Sequence, residues 1–352
     1  MYLSNPDLII TNLFRYVIDM QSFTEDHSSK NLAALLDRSV RLIPSLDLSK
    51  TELTSVNDNA SNIVRGITLS ETIGMQVNCA AHTLQLVIND CIASNQTINE
   101  IIDSCKSLAA KTHRSSKVCN KLRDMCERLD GDPNQDKKWP YRVIISPGGV
   151  RWDSMYLCMK SILQLEEPLL QLRSRDADFA DVPSEEQFAT MTQLSDLLGS
   201  FHRCVETLSA EITPTMHLVV EVLYNLNQDL IKAQEGSGSG TCLQVRAWAE
   251  QAVVSLDRRF PDCGASKKEF ALGNLLHPLY RGLVARKMNR VDYDRWIEEL
   301  ISENQVRNCY CICANTHSTN QTNTYNYEFG RTYPAQTRLM RIIMNLSLLF
   351  NI

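Results

Sequence analysis

Cys79-Ala-Ala-His82-Thr-Leu-Gln-Leu-Val-Ile-Asn-Asp90 decides how this chain is read. Leu84, Val87, Ile88 and Cys91 recur at i, i+3, i+4 and i+7, one face of a helix from about Ala80 to Ile92. Cys79, His82 and Leu86 fall on the other side. Upstream, Leu53-Thr-Ser-Val56 reads as a short strand. It runs into Asn57-Asp58-Asn59, and a second helix is expected from Ala60 to about Gly66. Strands that alternate with helices build an α/β layer.

The same pattern extends outward. Ser28 or Ser29 can cap a helix reaching about Leu42, with Leu32, Leu35, Leu36 and Val40 on one face. Leu8-Ile-Ile10 and Phe14-Arg-Tyr-Val-Ile-Asp19 are candidate strands. Further helices are expected over about 98–110 and 116–129, then a short strand at Arg142-Val-Ile-Ile-Ser146. From Asp153 onward the pattern is helical throughout. Met155, Cys158, Met159, Ile162 and Leu163 form one stripe. Ser184 and Gln187 form a capping box ahead of Phe188, Met191, Leu194, Leu198, Phe201, Val205 and Leu208. Thr213-Pro214 opens a helix to about Ala233, and residues 235–241 are a Gly/Ser connector. Val245, Trp248, Ala252, Val253 and Leu256 mark the next helix, with shorter ones near 268–274 and 291–302. Residues 305–352 are low in charge and periodicity and are expected to form a poorly ordered tail. The fold class is α/β plus all-α, predominantly helical overall, with its boundary at 152–153.

At 352 residues the chain has room for two domains, and 43% hydrophobic with 22% charged residues is ordinary for a globular protein. A net charge of −5 argues against a surface that coats DNA all over, but not against a local basic face. The 12 cysteines are scattered, several of them (Cys91, Cys105, Cys158, Cys204) inside apolar helical patterns, and no signal peptide precedes them. They read as reduced core thiols of a nuclear or cytosolic protein. No apolar run reaches the roughly 20 residues that span a bilayer, so no membrane partner is expected. Phosphate-binding glycine loops, nucleophile elbows and dinucleotide fingerprints are absent.

Several residues carry candidate chemistry, each with a plainer reading beside it. Asp58 lies where a strand gives way to a helix, the edge at which ligands gather in α/β sheets; an Asp before Asn is also a common turn former. Nucleic-acid strand transfer requires carboxylates that hold two divalent cations about 4 Å apart. Cys79 and His82 have half of a zinc-site spacing, but a buried thiol and a hydrogen-bonded imidazole fit equally. Trp152 in Arg151-Trp152-Asp153-Ser154 is either a core residue, with Ser154 capping the next helix, or a platform for an unpaired base. Lys106, Lys111, Arg114, Lys117, Lys121 and Arg123 form either a solvated helix face or a phosphate-contacting stripe. Cys309, Cys311, Cys313 and His317 have no familiar structural-zinc spacing.

In this order, Val56-Asn-Asp-Asn-Ala-Ser-Asn-Ile63, Cys79-Ala-Ala-His82 and Arg151-Trp-Asp-Ser154 resemble the hAT superfamily of DNA transposases and the BED zinc-finger host proteins derived from them. The resemblance covers roughly residues 23–300. It implies a partial RNase H-like core over 1–152, interrupted by an all-helical insertion domain over 153–304. It implies that Asp58 is the second carboxylate of the family's Asp-Asp-Glu metal site and that Asn59 and Asn62 continue that motif. Cys79, His82, Arg151, Trp152 and Ser154 would belong to motifs near that site. A complete family member would bind Mg2+ or Mn2+. The first Asp and the last Glu have no match: Asp7 and Asp19 stand outside a motif, and Glu298 and Glu299 fall among the last helices of the insertion. The chain is therefore expected to be a truncated or domesticated central fragment, without the BED zinc finger or the dimerisation segment. It is expected to hold no cofactor and perform no strand transfer, while keeping DNA or protein binding in the nucleus. The alternatives are a helical scaffold for protein partners, and an active transposase whose ends lie outside this sequence.

Overall fold

Helix starts in this chain are set by side chains that satisfy the first free backbone N–H groups. Ser28 Oγ accepts from Asn31 N–H (3.4 Å), Asn95 Oδ1 from Ile98 N–H (3.1 Å) and Ser115 Oγ from Val118 N–H (3.3 Å). The expected capping box forms in both directions. Ser184 N–H donates to Gln187 Oε1 (2.9 Å), and Gln187 N–H donates to Ser184 Oγ (3.3 Å).

A computed structural model describes residues 25–43, 46–49, 53–131, 143–148, 152–210, 215–236, 241–276, 294–296 and 298. In chain order the elements are α1 (Ser29–Arg41), β1 (Thr54–Asn57), α2 (Ser61–Leu69), β2 (Met75–Asn78), α3 (Ala80–Ser94), α4 (Gln96–Arg114) and α5 (Ser116–Asp130). They continue as α6 (Trp152–Leu163), α7 (Glu166–Arg173), α8 (Glu185–Leu208), α9 (Val219–Glu235), α10 (Leu243–Arg259) and α11 (Lys268–Leu276). Helix predominates, as the apolar stripes predict. The candidate strands before residue 20, the Thr213-Pro214 cap, most of the 235–241 connector and the 305–352 tail lie outside the described residues.

The chain divides into two units: residues 1–83, 207–221 and 260–352, and residues 84–206 with 222–259. In the first, β1 and β2 pair in parallel, Thr54 opposite Met75 through Asn57 opposite Asn78, with α2 as the connection between them. Leu36, Val40, Leu53, Ile67 and Ile73 form the core beside this sheet. α1 and α2 approach closely because position 66 is glycine: a Cβ there would stand 3.1 Å from Leu32 Cβ and 3.2 Å from Ser29 O. The buried Asp37 carboxylate holds the turn into β2. It accepts from Ser70 Oγ (2.5 Å), Thr72 Oγ1 (2.7 Å) and the N–H groups of Glu71 and Thr72 (both 3.1 Å). A 3-10 turn over Met216–Leu218 packs on α11, where Asn274 Nδ2 donates to His217 O (2.8 Å).

In the second unit α4 packs on α5 and α6, and α5 packs on α7. Ile98, Ile101, Cys105, Leu108, Cys158, Met159, Ile162, Phe188 and Met191 are fully buried there. Asp90 ties α3 to α10, accepting from Ser255 Oγ (2.6 Å), Arg258 Nη2 (2.6 Å) and Arg259 Nη2 (2.8 Å). Burial alone would raise this carboxyl, but those donors outweigh it and hold it below the usual range.

By residue contacts the structure divides at 83–84, with the apolar faces of α4 and α5 covered by α6 and α7. One expectation is corrected. The strand expected at 142–146 does not form in its described part, 143–148. Ile144 O pairs with His113 Nε2 (2.7 Å) and Ile145 N–H with Ser161 Oγ (3.0 Å), so side chains take the groups a strand partner would use. Conversely, β2 gave no sequence signal; Met75-Gln-Val-Asn78 is too short to alternate visibly and becomes a strand by pairing with β1.

Candidate functional site

The register of β1 and β2 brings two of the sequence motifs to one sheet edge. Asn57 and Asn78 are the last paired residues, so Asp58 and Cys79 leave the sheet side by side. Cys79 N–H donates to Asn57 O (2.8 Å), which extends the pairing by one bond. Cys79 O then accepts from both N–H and Oγ1 of Thr83 (2.9 Å each), opening α3. Asn59 Nδ2 donates to Thr83 Oγ1 (3.1 Å), so the turn after β1 is bolted to the first turn of α3. Asn62 Nδ2 reaches back to His27 O (3.3 Å), ahead of α1. These are the helix starts and strand ends where an α/β sheet presents ligand-binding groups.

Asp58 is exposed, and its Oδ1 accepts a weak bond from Ala60 N–H (3.4 Å), the turn-forming role open to any Asp before a helix. The neighbouring strand-end side chains are amides. Gln76 Nε2 donates to Asn78 Oδ1 (2.6 Å) and Asn57 Oδ1 (3.5 Å). Asn57 Nδ2 and Asn59 Oδ1 are buried without a partner among the described residues. An amide N–H repels a cation, so this edge offers one carboxylate and one unpaired amide oxygen. Two divalent cations about 4 Å apart need several carboxylates between them. Among the described residues the donor set does not fit that pair. Nor do three or more His, Cys, Asp or Glu side chains converge anywhere on a shared metal position among those residues. Cys79 sits in the β2–α3 junction and His82 in the first turn of α3, both half-buried.

The Arg151-Trp152-Asp153-Ser154 motif belongs to the second unit, and Arg151 lies outside the described residues. α6 begins at Trp152, so Ser154 is inside the helix and not its cap; its hydroxyl donates to Gly148 O (3.0 Å). Trp152 is 5% exposed and packs with Tyr156 (centroids 6.4 Å apart) and edge-on to His202 (6.2 Å). His202 bridges Asp153 (3.1 Å) and Glu206 (3.3 Å). A ring packed this way has no open face on which a base could stack.

Three of the six basic residues on α4 and α5 are held in ion pairs. Lys111 Nζ bonds Asp181 Oδ1 (2.6 Å) and Asp178 O (3.0 Å), while Ser107 Oγ takes the other Asp181 oxygen (2.6 Å). Lys121 pairs with Asp176 and with Asp178 (2.6 Å). Hydrogen bonds to Asp176 and then Asp178 hold the Lys121 ammonium above its usual value. Lys106 pairs with Asp103 (3.1 Å). Arg114, Lys117 and Arg123 stand exposed. The acidic loop around the 3-10 turn Ala177–Phe179 thus occupies two of the six residues of the expected stripe, Lys111 and Lys121. Its sequence, Asp176-Ala-Asp-Phe-Ala-Asp181, was the signal that reading the basic residues alone passed over.

Residues 77–197 match the family described as the ZBED1 RNase-like helical domain. The chain is also 22% identical over 255 residues to zinc finger BED domain-containing protein 4 of Homo sapiens, an alignment covering 72% of this chain and 20% of that protein. The chain therefore spans about a fifth of the length of the curated relative it matches. The family segment contains both the Cys79–His82 and the Trp152 motifs and crosses from α3 into α8 without a break at 152. Both matches support the hAT/BED-derived class to which the three motifs point. No helix among the described residues is long and apolar enough to cross a membrane.

Proposed function

We propose that this protein is a hAT-transposase-derived nucleic-acid-binding protein that does not perform strand transfer. The observation that carries the reading is the β1/β2 edge. There Asp58 leaves one strand beside Cys79 leaving the next, while the side chains of Asn57, Gln76 and Asn78 at the same strand ends are amides bonded to one another. A nuclear location follows from the reading, because DNA is the expected partner. Mg2+ or Mn2+ is not a resident cofactor in this account.

Two assays on one preparation test it. Binding to labelled duplex and single-stranded DNA should weaken steeply as salt rises. Strand-transfer assays in Mg2+ and in Mn2+ should show no joined product, and Asp58→Ala should bind as the parent does. Divalent-dependent cleavage or joining that disappears in Asp58→Ala overturns the non-catalytic half; absence of DNA binding at low salt overturns the binding half.

The ion pairs of Lys111 and Lys121 favour a second reading, in which the helical unit is a scaffold for protein partners. Partner capture insensitive to salt and nuclease, without DNA binding, would establish it.

A further inference from the structure

We propose that the groove between α6, α8 and α9 of the second unit binds a phosphate group, carried by a single-stranded nucleic-acid backbone. The groove has a volume of about 470 Å³ and opens to solvent. Lys160 comes from α6, Arg203 from α8 and Lys232 from α9, set against the carboxylates of Asp196 and Asp229. Three cations facing two acids leave a local excess of one positive charge, in a chain whose net charge is −5.

The floor of the groove is built, not merely charged. Ser200 Oγ donates to Asp229 Oδ2 (3.1 Å) and accepts from Arg203 Nη2 (2.9 Å), which orients the guanidinium. Lys232 Nζ lies 3.7 Å from Asp229, with its side chain 69% exposed, free to swing toward an anion. Tyr156 is 7% exposed and lines the groove, with its hydroxyl beside Gly199.

Gly199 explains how that hydroxyl reaches the groove. Glycine is the poorest helix former after proline, yet it stands within the 24 residues of α8. A Cβ at 199 would sit 3.2 Å from Tyr156 Oη and 3.7 Å from Arg203 Nη1. Without it, a phenol O–H and a guanidinium N–H face the same space. Ammonium, guanidinium and phenol groups are all donors, the set that recognises phosphate oxygens. The Tyr156 ring is closed off between Trp152 and His202, so the groove grips backbone and does not read bases.

The source of the phosphate rests on the nucleic-acid reading above; the site does not. The test is fluorescence anisotropy of the full chain with a labelled oligothymidylate, beside direct calorimetric titrations of inorganic pyrophosphate and of a mononucleotide. Lys160→Gln with Lys232→Gln changes two exposed side chains and should weaken binding about tenfold, cutting the salt slope by about 1.4. Gly199→Ala, which alters no charge, and Tyr156→Phe should each weaken binding several-fold, with unchanged circular dichroism. Arg114→Gln with Lys117→Gln, on the α4–α5 face, serves as the comparison. If the parent binds DNA and the groove variants bind equally well, the groove is overturned and the nucleic-acid reading stands. If the parent binds only pyrophosphate or the mononucleotide, and the groove variants lose that, the site stands with a free phosphate as its source. Binding of none of these probes overturns both.

Discussion

Replacing Asp37 by Asn should loosen the sheet edge that carries Asp58 while leaving the helical unit intact. The carboxylate is 8% exposed and takes two hydroxyl and two backbone N–H donors from Ser70, Glu71 and Thr72, with Glu71 N–H shared between both oxygens. Asn can keep its oxygen at Oδ1, where all four donors meet, but it loses the charge and sets an NH2 beside the shared Glu71 N–H. Hydrogen bonds to a charged group contribute about 1.5–3 kcal/mol each, against about 0.5–1.5 kcal/mol for neutral ones. Four weakened bonds, partly offset because a charge is no longer buried, give a net loss of about 3 kcal/mol, roughly a hundredfold in the local opening equilibrium. Hydrogen exchange read by mass spectrometry should show that acceleration in peptides covering 70–78, with peptides over 98–108 as the internal reference.

The same carboxylate sets a pH dependence. Burial alone would raise its value, but the bonds from Ser70, Glu71 and Thr72 outweigh burial and hold it below 3.8. A depressed carboxyl contributes stability that is complete above the unfolded value and disappears as pH falls through the folded one. Protection of 70–78, corrected for intrinsic exchange, should therefore hold down to about pH 4 and fall below it. The variant should lack this step. Unchanged exchange in 70–78, or equal acceleration in 98–108, would refute the assignment of Asp37 as the clamp on this turn.

Gly66→Ala should cost about 1–3 kcal/mol despite the better helix propensity of alanine, because Leu32 Cβ and the Ser29 carbonyl cannot move aside without parting α1 from α2; a urea midpoint equal to the parent's would contradict it. Burial raises the thiols of Cys91 and Cys204 to about 12, and of Cys158 to about 11. At about pH 8 these three should resist iodoacetamide in the folded protein and react once urea unfolds it, as residue-resolved mass spectrometry would show.

The helical half of this protein was legible in its sequence because the information there is local. Ser28, Asn95, Ser115 and the Ser184–Gln187 pair announce helix starts through bonds to residues three positions away. The stripe from Phe188 to Leu208 names its buried face by a period of 3.6 residues, and all of it but Val205 is buried. The Asp58, Cys79–His82 and Trp152 motifs by themselves gave the resemblance that the family match over 77–197 supports. Tertiary structure decided what depends on partners distant in sequence. Met75–Asn78 is a strand because Thr54–Asn57 lies beside it, and that register sets Asp58 next to Cys79. The loop at 176–181 lies more than fifty residues from the lysines it neutralises, so the basic stripe looked open until α5 packed on α7. Trp152 reads alike as a core residue and as a base platform; the rings of Tyr156 and His202 against it make it core. Charge neutralisation and ring burial are properties of pairs brought together by folding, and no single stretch of chain contains both members.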